Sequence, residues 1–216
     1  RCLWPRGNRM AAGRFRSPPP LSPANLNPKR SDIIEIAARQ DIKPFQQGEL
    51  DWFCGLYSCL NALRLAAYAT RPIPKFLATK LYQAGIGYLD QQQAAGETAT
   101  RGMESDRQRD LLAHLTQHLR NRGIETVIER PALLPGCKMA SVFAWMEDSI
   151  AKGAPVLVYL DGSQDHYTVI AGIDDKHLHF FDSIGLRRIA RAGCDTKPGS
   201  RYLVEPRHLV SVRVAI

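Results

Sequence analysis

Apolar residues recur at helical spacing through the first half of the chain and in short alternating or continuous runs through the second. Residues 54–69 are apolar and rich in Ala and Leu, which predicts a buried helix. A second helix is predicted over residues 74–88, with Pro74 in its first turn. Residues 91–102 are polar and contain glycine, so they read as a loop. Over residues 105–122, Leu111, Leu112, Leu115 and Leu119 fall at helical spacing, and Gly123 supplies a stop. Residues 124–129 alternate like a strand, and residues 140–152 read as a further helix ended by Gly153. Strands are then predicted over residues 155–160, 166–173, 177–182, 186–189, 202–204 and 209–214. Helices followed by hairpin-connected strands describe an α+β domain, with the N-terminal helices packed on a C-terminal antiparallel sheet. No internal repeat is visible.

The pattern fails only over residues 1–30. These hold six of the 14 prolines, including Pro18-Pro19-Pro20, and have little apolar periodicity. They read as a disordered or extended linker ahead of a folded domain spanning residues 31–216. They lack the apolar stretch of a signal peptide. The first residue is Arg rather than Met, which suggests a piece cut from a longer polypeptide or residues added ahead of Met10.

Charge sharpens this division. The net charge is +8, but residues 1–30 carry seven Lys and Arg and no acid. That leaves 22 basic against 21 acidic residues in the other 186. A nucleic-acid binder spreads basic residues over a folded face; here they sit in the tail, so no nucleic-acid partner is expected. The longest apolar run, residues 154–160, is far too short to cross a bilayer, and no membrane association is expected. At 216 residues with 44% hydrophobic content, the chain can bury a core without disulfides or structural metal.

Five cysteines, Cys2, Cys54, Cys59, Cys137 and Cys194, form no CxxC pair and no zinc-finger spacing. An odd number of free thiols suits a reducing compartment, which points to the cytoplasm. Cys54 stands apart. The polar segment from Gln46 to Trp52 leads directly into the first long helix, and Cys54 lies at the junction. A thiol there meets the positive end of the helix dipole, which favours the nucleophilic thiolate. Gly55 beside it leaves room for a substrate to approach the backbone. Taken alone, Cys54 could equally be a small core residue.

A second segment decides between these readings. His166 opens a predicted strand, and Asp182 follows sixteen residues later on the next strand, beyond a turn at residues 174–176. A hairpin of that length can bring Asp182 beside His166, giving a base and its orienting carboxylate on paired strands. A cysteine at a helix start, then a strand histidine, then a strand aspartate is a much rarer arrangement than a lone histidine.

Cys54-Gly55 opening a helix, His166-Tyr167 opening a strand, and Phe181-Asp182 resemble the papain-like cysteine peptidase superfamily. Within it the chain is most similar to the bacteriocin-processing peptidases that remove double-glycine leaders. The resemblance covers roughly residues 45–190. It implies Cys54 as nucleophile, His166 as general base and then acid, and Asp182 as the residue that holds the imidazole. It also implies an oxyanion hole made by the Cys54 backbone N–H and a glutamine side chain, Gln47 or Gln46. The family's glutamine lies about six residues before the cysteine, where this chain has Gly48. Phe53 and Ser183 replace the family's Asp and Pro. No cofactor and no metal are implied. The superfamily also supplies compact toxin domains that act in the cytoplasm of a rival bacterium and are neutralised by an immunity protein. A Pro-rich linker before a small domain fits that setting, and an immunity protein joins the protein substrate as an expected partner.

Other candidates have plainer readings. His114 and His118 are four apart on a helix and could ligate metal, but an exposed polar face accounts for them. His177 and His179 share a strand face and are expected to be solvated. Cys59 lies roughly 140° round the helix from Cys54 and is expected in the core. Cys137 and Cys194 show no nearby base. Glu49 and Asp51 favour the helix N-terminus, and Trp52 and Trp145 read as wall or core. Three functions fit: a cysteine endopeptidase cutting after Gly-Gly, a glutamine deamidase or transglutaminase using the same triad, and an inactive peptidase-like binding module.

Overall fold

A computed structural model describes residues 33–134 and 136–215. The linker expected over residues 1–30 lies outside the described residues. The chain begins with strand β1 (Ile34–Glu35) and a single helical turn, α1 (Ala38–Asp41). Four helices follow: α2 (Cys54–Ala67), α3 (Lys75–Gln91), α4 (Ala95–Arg101) and α5 (Ser105–Arg120). Strand β2 (Thr126–Glu129) and helix α6 (Met139–Ala151) lead into β3 (Val156–Gly162), β4 (His166–Ile173), β5 (His177–Phe180) and β6 (Arg188–Ala190). Short strands β7 (Cys194–Asp195) and β8 (Tyr202–Leu203) precede β9 (Val210–Val214).

The main sheet runs β2-β9-β3-β4-β5-β6, and every neighbouring pair on that path is antiparallel. The α+β expectation therefore holds at the level of mixed helix and antiparallel sheet. One pair departs from it: β7 runs parallel to β8. Along β4, one edge pairs with β3 over its first residues and with β1 at Gly172 and Ile173, while β5 takes the other edge. Every residue of β4 is buried, the polar His166 and Thr168 included, so this central strand is covered on both faces.

Helix α2 is apolar on nearly all sides and is the central helix of the domain. It packs on β4, β9 and β3 and also contacts α3 and α5. Leu56, Cys59, Leu63 and Leu65 from α2 join Leu111, Leu115, Val169, Ala171 and Val212 in one continuous core. Asn61 is one of two buried polar residues on this helix, with Ser58. Its amide accepts the Phe45 N–H at 2.7 Å and donates to the Phe45 carbonyl at 3.1 Å, which fastens the segment before Cys54 to the helix.

Three sequence expectations change. Residues 91–102 are not a loop: α3 continues to Gln91 and α4 occupies Ala95–Arg101, closed by Gly102 at φ +80°. Only Thr98 of α4 is buried, so this short helix carries no apolar stripe to announce it. Strand β5 stops at Phe180, because residues 181–186 turn around the Asp182 carboxylate. The small elements β1, α1 and β7 are too short to leave a periodic signal.

Candidate active site

Cys54 is the first residue of α2. The loop before it is shaped by Asp51, whose Oδ2 accepts the Gly48 N–H at 3.1 Å and whose Oδ1 accepts the Phe53 N–H at 3.1 Å. The Trp52 N–H donates to the Ala99 carbonyl of α4 at 3.1 Å, which ties this loop to the neighbouring helix. The first N–H groups of a helix have no partner within it, so the Cys54 end of α2 presents main-chain donors and partial positive charge.

His166 is the first residue of β4, and Asp182 lies just beyond β5, across the same ladder. The Phe181 N–H donates to the Val169 carbonyl at 2.8 Å, which continues the pairing up to the aspartate. His166 Nε2 lies 2.7 Å from Asp182 Oδ2, and both side chains are buried. The other carboxylate oxygen, Oδ1, accepts the N–H groups of Ile184 and Leu186 at 2.8 and 2.9 Å. Asp182 therefore cannot turn away from the histidine without losing two main-chain hydrogen bonds. With Nε2 committed to Asp182, Nδ1 is the ring nitrogen left free of the carboxylate, while the Cys54 thiol donates to the Trp52 carbonyl at 3.9 Å. His166 and Asp182 are in direct contact, and Cys54 is near enough to influence the charge on His166.

The charges follow from these contacts. Burial works against a charged His166, but the hydrogen bonds with Asp182 and Cys54 and their negative charge overcome it, raising its pKa to about 9. Burial likewise pushes Asp182 up, yet its hydrogen bond and attraction to His166 leave it below the ordinary carboxylate value. Burial alone raises the Cys59 thiol, which keeps that cysteine protonated and inert in the core, where it was expected. Cys194, also buried, is raised to about 12 by the same cause.

A cleft of about 280 Å³ opens beside Cys54. Trp52, Met103 and Tyr159 form part of its wall, and Ser105 and Tyr167 lie deeper, joined by a 2.9 Å hydrogen bond between their hydroxyls. Glu97, Arg101, Glu104, Arg107, Asp165 and His208 give the cleft a mixed polar lining. Asp165, immediately before His166, has φ +46° and accepts a hydrogen bond from the Tyr159 hydroxyl. A non-glycine residue in this left-handed region is uncommon, and its position beside His166 is where backbone strain tends to concentrate.

No family model, no curated protein and no solved structure matches this chain.

Some site expectations need correction. Cys54 is only 6% exposed and lines the cleft. Gly55 packs against a cleft residue: a Cβ at this position would lie 2.7 Å from Met103 Sδ, so that flexible side chain would have to shift to admit it. The glutamines are engaged elsewhere than the cleft wall. Gln46 Nε2 donates to the carbonyls of Pro44 and Asp182, each at 3.3 Å, and Gln47 Nε2 donates to the Asp51 carbonyl at 2.6 Å. Gln47 Oε1 is buried without a partner, and its main-chain N–H donates to the Ser183 carbonyl at 3.0 Å. His179 is buried rather than solvated, with Nε2 2.7 Å from Asp174 Oδ2. His114 and His118 are half-buried, with their Nε2 atoms 3.2 Å apart.

Sequence reasoning did not single out Tyr159, Asp165, Met103, Ser105 or His208 as cleft residues. Their contributions come from strand, loop and helix ends that meet only in the folded chain. Asp165 alone had an available signal, since it directly precedes His166.

Proposed function

We propose that this chain is a papain-like cysteine peptidase, with Cys54 as nucleophile, His166 as base and acid, and Asp182 as the residue that orients the imidazole. The observation that carries the reading is the buried His166–Asp182 pair, whose charge Cys54 influences from the start of a helix that borders an open cleft. His166 Nδ1 accepts the thiol proton, and the resulting thiolate attacks a substrate carbonyl held in the cleft. The Cys54 N–H faces the developing oxyanion; Gln47 or Gln46 becomes the second donor by turning an amide N–H away from the main-chain carbonyl it now serves. The imidazolium then protonates the leaving amine, and water hydrolyses the thioester with His166 again acting as base. A mixed polar cleft of about 280 Å³ has room for a side chain beside the scissile bond. Cleavage after Gly-Gly is therefore one end of a range that extends to larger residues. Action on a protein inside a rival bacterium, with an immunity protein as antagonist, belongs to the same proposal and rests on resemblance alone.

The test is mass spectrometry of a lysate treated with the full chain or with Cys54→Ala. New protein termini that require Cys54 support the peptidase. A mass increase of about 1 Da at glutamine, without cleavage, would instead assign deamidation by the same acyl-enzyme chemistry.

A further inference from the structure

The ladder that carries His166 and Asp182 at one end carries a second constellation at the other. Asp174 directly follows β4, His177 opens β5, and His179 lies two residues on, on the same strand face. His177 Nδ1 is 3.4 Å from Asp174 Oδ1, and His179 Nε2 is 2.7 Å from Asp174 Oδ2. One donor atom from each of the three residues lies within 4.8 Å of the others. Asp174 and His179 are buried, and His177 is half-buried.

We propose that Asp174, His177 and His179 form a binding site for a divalent transition metal of the zinc class, which clips the β4–β5 hairpin at its turn. Two imidazoles and one carboxylate are a borderline donor set that suits zinc, with a fourth position left for water. With bonds of about 2.0–2.1 Å, tetrahedral donors stand roughly 3.3 Å apart. The present spacing needs the 2.7 Å His179–Asp174 pair to open slightly and the half-buried His177 to move in. On binding, the proton that His179 Nε2 shares with Asp174 passes to solvent, and the ring nitrogen lone pair goes to the metal.

The surroundings hold the carboxylate in place. Asp174 Oδ1 accepts the N–H groups of Lys176 and His177, each at 2.7 Å, as supporting hydrogen bonds do around a metal ligand. A cation, Arg191, also lies close. It donates to the Asp174 main-chain carbonyl at 2.7 Å, and Glu147 balances its charge at 2.9 Å. An Asx turn accounts for Asp174 and one histidine, but it does not call for a second imidazole on the same carboxylate. The consequence is mechanical. The β4–β5 pairing contains a register shift between Ile170 and Gly172. A metal joining the end of β4 to two positions on β5 fixes the register on the turn side, while the His166–Asp182 contact marks it on the other.

This proposal stands apart from the peptidase reading, and its readouts do not use activity. The metal-free full chain is titrated with Co²⁺, followed by visible absorption, and then with Zn²⁺, followed by melting temperature. The expected result is a one-to-one tetrahedral Co²⁺ spectrum that Zn²⁺ displaces, together with a rise in melting temperature. Both disappear in His177→Ala and in His179→Ala. Both persist in the His114→Ala/His118→Ala double variant and in Cys54→Ser. His177→Ala is the cleaner variant, because this half-buried side chain leaves the core untouched. A chain that shows no saturable Co²⁺ spectrum overturns the proposal. So does a spectrum that survives His177→Ala, or one that is lost on changing His114 and His118.

Discussion

Cys54 and Cys59 lie on one helix, both buried, yet their surroundings give them opposite expectations. Cys54 influences the charge on His166 and borders a cleft, whereas Cys59 donates to the Gln108 carbonyl at 3.8 Å within the core and has a thiol raised by burial. Cys54→Ala is expected to abolish activity with the melting temperature nearly unchanged, measured by peptide hydrolysis beside a thermal melt. Cys59→Ala is expected to keep its chemistry and lose about 1–3 kcal/mol of stability. Alkylation that abolishes any peptide hydrolysis while leaving Cys54 unmodified, mapped by mass spectrometry, would refute the assignment. His166→Ala is expected to be as damaging as loss of Cys54, because the triad acts as one unit, and Asp182→Ala to be milder. The glutamines separate by the same logic. Gln47→Ala is expected to lower kcat by roughly 10²–10³-fold with KM little changed if its amide reaches the oxyanion. Gln46 donates to the Asp182 carbonyl, so Gln46→Ala is expected to loosen the Asp182 turn and shift the pH profile. A drop in kcat at Gln46 with none at Gln47 would exchange the two roles.

At the scale of elements, the sequence was most legible where periodicity is long. The starts of α2, α5 and β4 fall at the expected residues, and these elements place Cys54, Ser105 and His166. The two-strand reading of residues 166–182 likewise anticipated the His166–Asp182 contact. What escaped was short or shaped by tertiary contact. Helix α4 buries only Thr98, and β5 ends early because main-chain N–H groups are drawn to the Asp182 carboxylate. Gly55 shows a further limit: sequence marks the residue as special, but only packing shows that Met103 is the reason. That contact sets a test. Gly55→Ala adds a Cβ within 3 Å of the Met103 thioether, and Met103, 9% exposed at the cleft, is flexible enough to give way. The gain in helix propensity, about 1 kcal/mol, roughly offsets the crowding, so stability is expected to change little. The displaced Met103 narrows the cleft, and KM is expected to rise. Met103→Ala in the same chain is expected to restore KM. If Gly55→Ala raises KM equally in both backgrounds, the glycine acts on substrate directly and not through Met103.

For the whole molecule, the buried His166–Asp182 pair makes stability and activity depend on pH in a defined window. His166 is raised to about 9 from an ordinary value of 6.5, so folding favours its protonated form. That contribution is fully present below about pH 6.5 and is lost as pH rises through about 9. Asp182 is lowered from 3.8, so its contribution is present above that value and is lost as pH falls through the lower folded-state pKa. The pair is therefore expected to stabilise the fold most between about pH 4 and 6.5, with a decline on the alkaline side centred on His166. Activity that uses a thiolate beside an imidazolium shares the alkaline limit. Unfolding by denaturant across pH 4–10, in the native chain and in His166→Gln, measures the first effect. The alkaline decline is expected in the native chain and absent from the variant. Asp182→Asn removes the carboxylate that supports the charged imidazole, so the alkaline limb of kcat/KM is expected to move towards lower pH. A limb that stays near pH 9 in Asp182→Asn would mean that Asp182 does not set the charge on His166, and its part in the triad would reduce to holding the turn at residues 182–186.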